Sequence, residues 1–189
     1  MTPDEVVTVK GTPVRSLQKF IEADLTPEQR ERLFQALPPE PAGRFKAPIL
    51  PTETIPVHLL NKVTEEAARV KGEPLETFAR RAGREAANDA VKGIYRFFAL
   101  VLTPPAILSK GGQMWSSIYN RGRLVVEDQT PTSARIALVD FPSELAGCLR
   151  FTGWLDRMAE MTGAKDINVE QIQCFSRGDK HCEWKITWR

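Results

Sequence analysis

The chain has 189 residues, 42% of them hydrophobic and 26% charged, with 26 Lys+Arg against 24 Asp+Glu. This length suits one domain of roughly 100–200 residues with a short N-terminal appendage, and the near-neutral balance leaves no electrostatic footprint for nucleic acid or an anionic membrane. Three cysteines and two histidines complete the reactive inventory, which is too sparse and too odd a thiol count for a secreted disulfide framework.

The N-terminal stretch Met1–Lys10 carries Asp4 and Glu5 and no long apolar run, unlike a signal peptide. A cytoplasmic location is therefore expected, where thiols stay reduced. Residues 1–37 read as a helical pair. Val14, Leu17, Phe20 and Ile21 recur at helical spacing. Thr26-Pro27-Glu28 then supplies a cap, a first-turn proline and a first-turn acid, ahead of the stripe Leu33, Phe34 and Leu37. Six of the fourteen prolines lie between Leu37 and Val57. Residues 38–56 are therefore expected to form an irregular connector, packed on the body through Phe45, Ile49 and Leu50.

Residues 57–189 read as the main domain, joined with the rest into one compact unit. Val57–Val70 is a helix, and Gly72-Glu73-Pro74 resets the chain. Leu75, Phe78, Ala82, Ala86, Ala90 and Ile94 then run at helical spacing toward Phe98 and Leu102, with Pro104-Pro105 as the stop. Gly83 and Gly93 within this helix cost about 1 kcal/mol each against Ala, and close packing is a reason to keep them. The Ile94–Leu108 run is broken by Arg96 and the prolines, too short to span a membrane. Leu108, Gly111, Trp115 and Ile118 share a face of a further helix. Arg80, Arg81 and Arg84, interleaved with Glu76 and Glu85, read as a solvated basic face.

The pattern then changes from a period of 3.6 to a period of 2. Leu124–Glu127 and Ala134–Val139 are strand candidates, Pro142 opens a helix ending near Gly163, and Ile167–Phe175 is a third strand. In the last strand Cys182, Trp184, Ile186 and Trp188 face one way, and His181, Glu183, Lys185 and Thr187 the other. A helix-rich part followed by β-β-α-β-β predicts an α+β fold, with an antiparallel sheet covered by helices.

Cys174 and Cys182 flank the Ser176–Lys180 turn, eight positions apart, so a hairpin brings them together. Cys148 lies on the preceding helix, which must pack on this sheet. Zinc suits three converging thiolates with a fourth nitrogen or oxygen ligand. Gln171, Glu170, His181 and water are the candidates. Strand parity puts Glu170 on the face of Cys174 and Gln171 on the other, unless a bulge intervenes. Free cysteine is also among the most buried residue types, packing as a small hydrophobe.

The run Cys174-Phe-Ser-Arg-Gly178-Asp179-Lys-His-Cys182-Glu-Trp184, with Cys148 twenty-six positions earlier, resembles the 4-vinyl reductase domain family. That module is related to the heme-NO-binding and Golgi-transport ligand-binding fold. Gly11, Pro104-Pro105, Trp115–Gly122, Phe141-Pro142 and Cys148–Trp154 extend the likeness, which is narrower still to myxobacterial proteins of unknown function. The resemblance implies a structural zinc on the three cysteines, with Gln171 where the phenol-sensing members carry a glutamate. It also implies a cavity between helices and sheet. Tyr95, Phe98, Trp115, Tyr119 and Trp154 are the candidate ligand-binding residues, because small-molecule sites are mostly apolar and aromatic. The same rings at helical spacing also fit a filled core.

A phenol effector is not expected, because no histidine lies between His58 and His181. Heme is not expected either: Tyr119-Asn-Arg121-Gly-Arg123 lacks the serine of the Tyr-x-Ser-x-Arg propionate grip of the heme-NO relatives. No nucleophilic triad, paired-carboxylate motif, Walker loop or dinucleotide fingerprint is present, and no enzymatic activity is expected. Two functions remain. One is a small-molecule sensor or binding module of bacterial signalling, taking a small apolar ligand and acting as a homodimer or on a signalling protein. The other is an interaction or scaffold subunit of the same fold with a filled pocket.

Overall fold

The computed structural model describes residues 6–92 and 104–189. Strand β1 (Thr8–Lys10) leads into α1 (Gly11–Asp24), α2 (Pro27–Ala36) and α3 (Pro39–Lys46). Strand β2 (Thr54–Pro56) pairs antiparallel with β1, setting Val9 opposite Ile55. Helices α4 (Val57–Lys71), α5 (Leu75–Val91) and α6 (Pro104–Ile118) follow. The main sheet is built from β3 (Arg123–Glu127), β4 (Ser133–Val139), β5 (Asn168–Gln173) and β6 (Cys182–Thr187), with α7 (Leu145–Met161) between β4 and β5. Its order is β3-β4-β6-β5, and every neighbouring pair is antiparallel. The fold is α+β, with helices covering the sheet.

Local chemistry accounts for the elements. The Thr26 hydroxyl accepts from the Gln29 amide while Gln29 Oε1 accepts from the Thr26 amide, a reciprocal cap at the start of α2. The stretch 38–56 is not an irregular connector: it holds α3 and β2. Pro39 and Pro41 occupy the first turn of α3, where amide hydrogens have no partner within the helix, so the prolines cost little there. Pro56 ends β2. Phe45 and Ile49 are buried as expected, whereas Leu50 is exposed. Pro142 does not open α7, which begins at Leu145 behind the capping position Glu144. The part of the long predicted helix that carries Gly93, Ile94 and Leu102 lies outside the described residues.

Helices α5 and α7 pack backbone against backbone. A Cβ at Gly83 would collide with the Arg150 carbonyl oxygen, and one at Gly153 with that of Arg80. The close-packing reason for Gly83 is therefore met in both helices. The arginine face of α5 is partly exposed and ion-paired to its neighbours. Arg80 Nη2 reaches Asp156 at 3.2 Å and Arg84 Nη2 reaches Glu160 at 2.7 Å, both on α7. Arg81 Nη2 meets Asp24 of α1 at 2.7 Å and lies over the Phe20 ring.

In β6 the expected alternation holds on the inner face, where Cys182, Trp184, Ile186 and Trp188 are all buried. Glu183 on the other face is buried too. Arg135 Nη1 at 3.2 Å and His181 Nε2 at 3.6 Å lie against its carboxylate. Among the described residues no helix is long and apolar enough to cross a membrane.

Candidate functional site

Two features share the interface between α7 and the sheet. The first is a thiol cluster. Helix α7 presents Cys148, the loop after β5 presents Cys174, and β6 presents Cys182. All three are buried, and their sulfurs lie within 4.8 Å of one another. Cys148 Sγ is 3.3 Å from Cys182 Sγ and 3.9 Å from Cys174 Sγ. The thiols are free. Tetrahedral thiolates at about 2.3 Å from a zinc ion stand about 3.8 Å apart, so these separations suit a shared metal.

The hairpin supports the sulfurs. Asp179 Oδ2 accepts from the Cys174 amide at 2.7 Å, and the Cys174 carbonyl accepts from the amides of Arg177 and Asp179. Gly178, with φ +98°, makes the reversal. The Phe175 amide donates to Cys182 Sγ at 3.3 Å. The Cys148 and Cys182 thiols share a hydrogen bond, and the coupling pulls the Cys182 pKa down while it pushes that of Cys148 up. A backbone donor and a thiol donor on one sulfur favour its thiolate, the form that binds a cation.

The residue at the fourth position follows from the β5–β6 register. Gln171 pairs with Trp184, but Gln173 pairs with Glu183, so Ile172 is an extra residue in a bulge. The bulge breaks strand parity and puts Gln171, not Glu170, on the inner face. Glu170 is exposed opposite Lys185. The Gln171 amide is buried, lies against the Cys148 thiol and has no nitrogen or oxygen partner. A buried amide whose neighbour is a thiol fits a fourth ligand to a shared metal. His181 turns to Glu183 instead.

The second feature is an apolar cavity of about 230 Å³ between the helices and the inner face of the sheet. The inner residues Leu124, Ile136, Leu138 and Trp184 form its floor, and α5, α6 and α7 its walls. Trp115, Tyr119 and Trp154 line it. Tyr95 and Phe98 lie outside the described residues. The rings interlock: Trp115 stacks on Tyr119 at 4.1 Å and meets Phe141 and Phe151 edge-on, at 5.1 and 5.6 Å. Trp115 Nε1 donates to the Arg121 carbonyl at 2.9 Å, which fixes that ring. Cys148 lines the cavity as well, so the thiol cluster borders it.

Sequence reasoning missed Arg150, Asn61 and Phe151 in this wall. Arg150 and Asn61 are polar residues on otherwise apolar faces. That mismatch was their only signal.

No family model matches the chain, and no curated protein matches it. Solved structures do. An H-NOX protein from S. oneidensis in an Fe(II)NO ligation state has 13% identity and a TM-score of 0.72, covering 95% of this chain and 99% of that one. An oxygen-binding H-NOX domain related to soluble guanylate cyclases has 14% identity and a TM-score of 0.66, covering 95% and 92%. The chain has the H-NOX fold.

Within that H-NOX fold the cavity residues do not suit a heme held by an axial histidine. The chain has two histidines. His58 is exposed on α4, and His181 sits in the hairpin beside Glu183; neither lines the cavity. Arg123 is paired with Asp140 at 2.9 Å on the surface.

Proposed function

We propose that this chain is a non-enzymatic, small-molecule-binding module of bacterial signalling, with a structural zinc at the thiol cluster. The observation that carries the reading is the aromatic-walled cavity between α5, α6, α7 and the sheet. A site that is apolar and aromatic, with few polar groups, is what a small organic ligand requires. An empty apolar cavity of about 150 Å³ is already enough to take up benzene. The H-NOX neighbours, as gas-ligand-binding proteins by their descriptions, support a ligand-binding use of the fold. The 4-vinyl reductase resemblance points the same way.

Cys148, Cys174 and Cys182 would hold the zinc, with the Gln171 carbonyl oxygen beside them. Closed thiolate sites of this kind are structural. The chain's own residues set the effect: α7 is pinned to the β5–β6 hairpin, next to the cavity wall that α7 supplies. Binding in the cavity signals only if it favours one arrangement of α6 and α7 over another.

The test is native mass spectrometry of protein purified without chelator from its own host, beside denaturing spectra and the Cys174→Ser variant. The expected result is one zinc and one small molecule lost together on denaturation, with the zinc absent from the variant. A protein of bare chain mass, without metal or adduct, would contradict both parts and favour the scaffold reading.

A further inference from the structure

Among the described residues that line the mostly apolar cavity, Arg150 is the one cation, with Glu144, Asn61 and Ser143 among the polar groups beside it. Its guanidinium is half-buried on α7, and its Nη2 donates to Asn61 Oδ1 at 2.8 Å and its Nη1 to Thr64 Oγ1 at 3.3 Å. Both acceptors are neutral and both belong to α4. Arg150 Nε is buried and has no partner.

Among the described residues no carboxylate pairs with Arg150. Residues 93–103 contain no Asp or Glu. Glu144 also lines the cavity; it is exposed and makes no ion pair with Arg150, although its charge acts on the guanidinium from a distance. Burial pushes the Arg150 pKa down, and the nearby Tyr119 and Glu144 offset this only in part; a guanidinium taken from water without a direct ion pair is costly. Arg80 and Arg84, half-buried between α5 and α7, pair with Asp156 and Glu160. Arg150, like Arg121, makes no ion pair among the described residues, and of these two only Arg150 lines the cavity.

We infer that the cavity takes an amphipathic organic anion, with an aromatic or aliphatic body among the rings and a carboxylate against Arg150. A planar carboxylate suits a guanidinium, which offers two parallel N–H donors, and the Arg150 Nε–H has no partner of its own. Asn61 and Thr64 hold the other side of the fork, so the geometry is set before the ligand arrives. This deepens the small-molecule reading and rests on it.

The test is calorimetric titration of the whole protein with 4-ethylbenzoate and with its neutral isostere 4-ethylbenzyl alcohol, in wild type, Arg150→Gln and Arg150→Lys. A charge-assisted contact in a desolvated site predicts that wild type binds the benzoate about ten-fold or more tighter than the alcohol. Arg150→Gln should lose that preference and keep alcohol binding, and Arg150→Lys should keep part of it. Equal or weaker binding of the benzoate by wild type would overturn the anion inference and leave the small-molecule reading standing. A preference that persists in Arg150→Gln would do the same. Binding of neither probe by wild type would overturn both. The wild-type comparison decides the point even if the variants do not fold.

Discussion

Trp184 is buried in full, yet its indole N–H must find a partner there. It donates to Thr152 Oγ1 at 2.8 Å, and that hydroxyl donates in turn to the Cys148 carbonyl at 2.9 Å. Thr152→Val keeps the shape and removes the acceptor. The variant should lose about 1–3 kcal/mol of stability, because the indole N–H is left unpaired. Urea unfolding measures this; an unchanged midpoint would mean that water reaches the indole. The fourth position of the thiol cluster belongs to the same scale. The three cysteines were legible because a hairpin and a packing helix can converge only in a few ways. Gln171 over Glu170 was not legible from strand parity. One extra residue at Ile172 reverses the faces, and such an insertion depends on the partner strand rather than on β5 alone.

At the scale of elements, periodicity carried most of the reading. The amphipathic stripes of α1, α4 and α5 and the alternation of β6 all reflect one buried face against one exposed face. The proline-rich stretch misled because proline is a helix breaker only in the interior. In the first turn of α3 it is tolerated. The ion pairs of the α5 arginines were not legible for a related reason: their acidic partners are on α7 and α1, far away in sequence. The α5–α7 contact itself gives a prediction. Gly83→Ala would place a methyl group into the Arg150 backbone, so the helices must separate. A loss of about 1–3 kcal/mol is expected, as for other overpacked contacts. Gly43→Ala in α3 is the control, since a Cβ there meets nothing within 4 Å. It should gain about 0.5–1 kcal/mol from helix propensity. Thermal unfolding of both variants checks the contrast. Equal shifts in the two would contradict the close packing.

At the scale of the molecule, the α+β order and the covered antiparallel sheet were readable as a switch of hydrophobic period along the chain. The cavity was not. A ring at helical spacing fits a filled core and a hollow one equally well, and only the placement of several elements around one space separates them. Polar residues such as Arg150 and Asn61 gain meaning in the same way, once their apolar neighbours are known. The four tryptophans of the chain, Trp115, Trp154, Trp184 and Trp188, all line the cavity. Intrinsic fluorescence excited at the indole band therefore reports on that space and on little else. The most direct measurement is a fluorescence titration of the whole protein with 4-ethylbenzyl alcohol. A saturable change at one equivalent per chain is predicted for a ligand entering among the rings. A linear drift no larger than that of free N-acetyltryptophanamide would contradict a small-molecule-binding cavity.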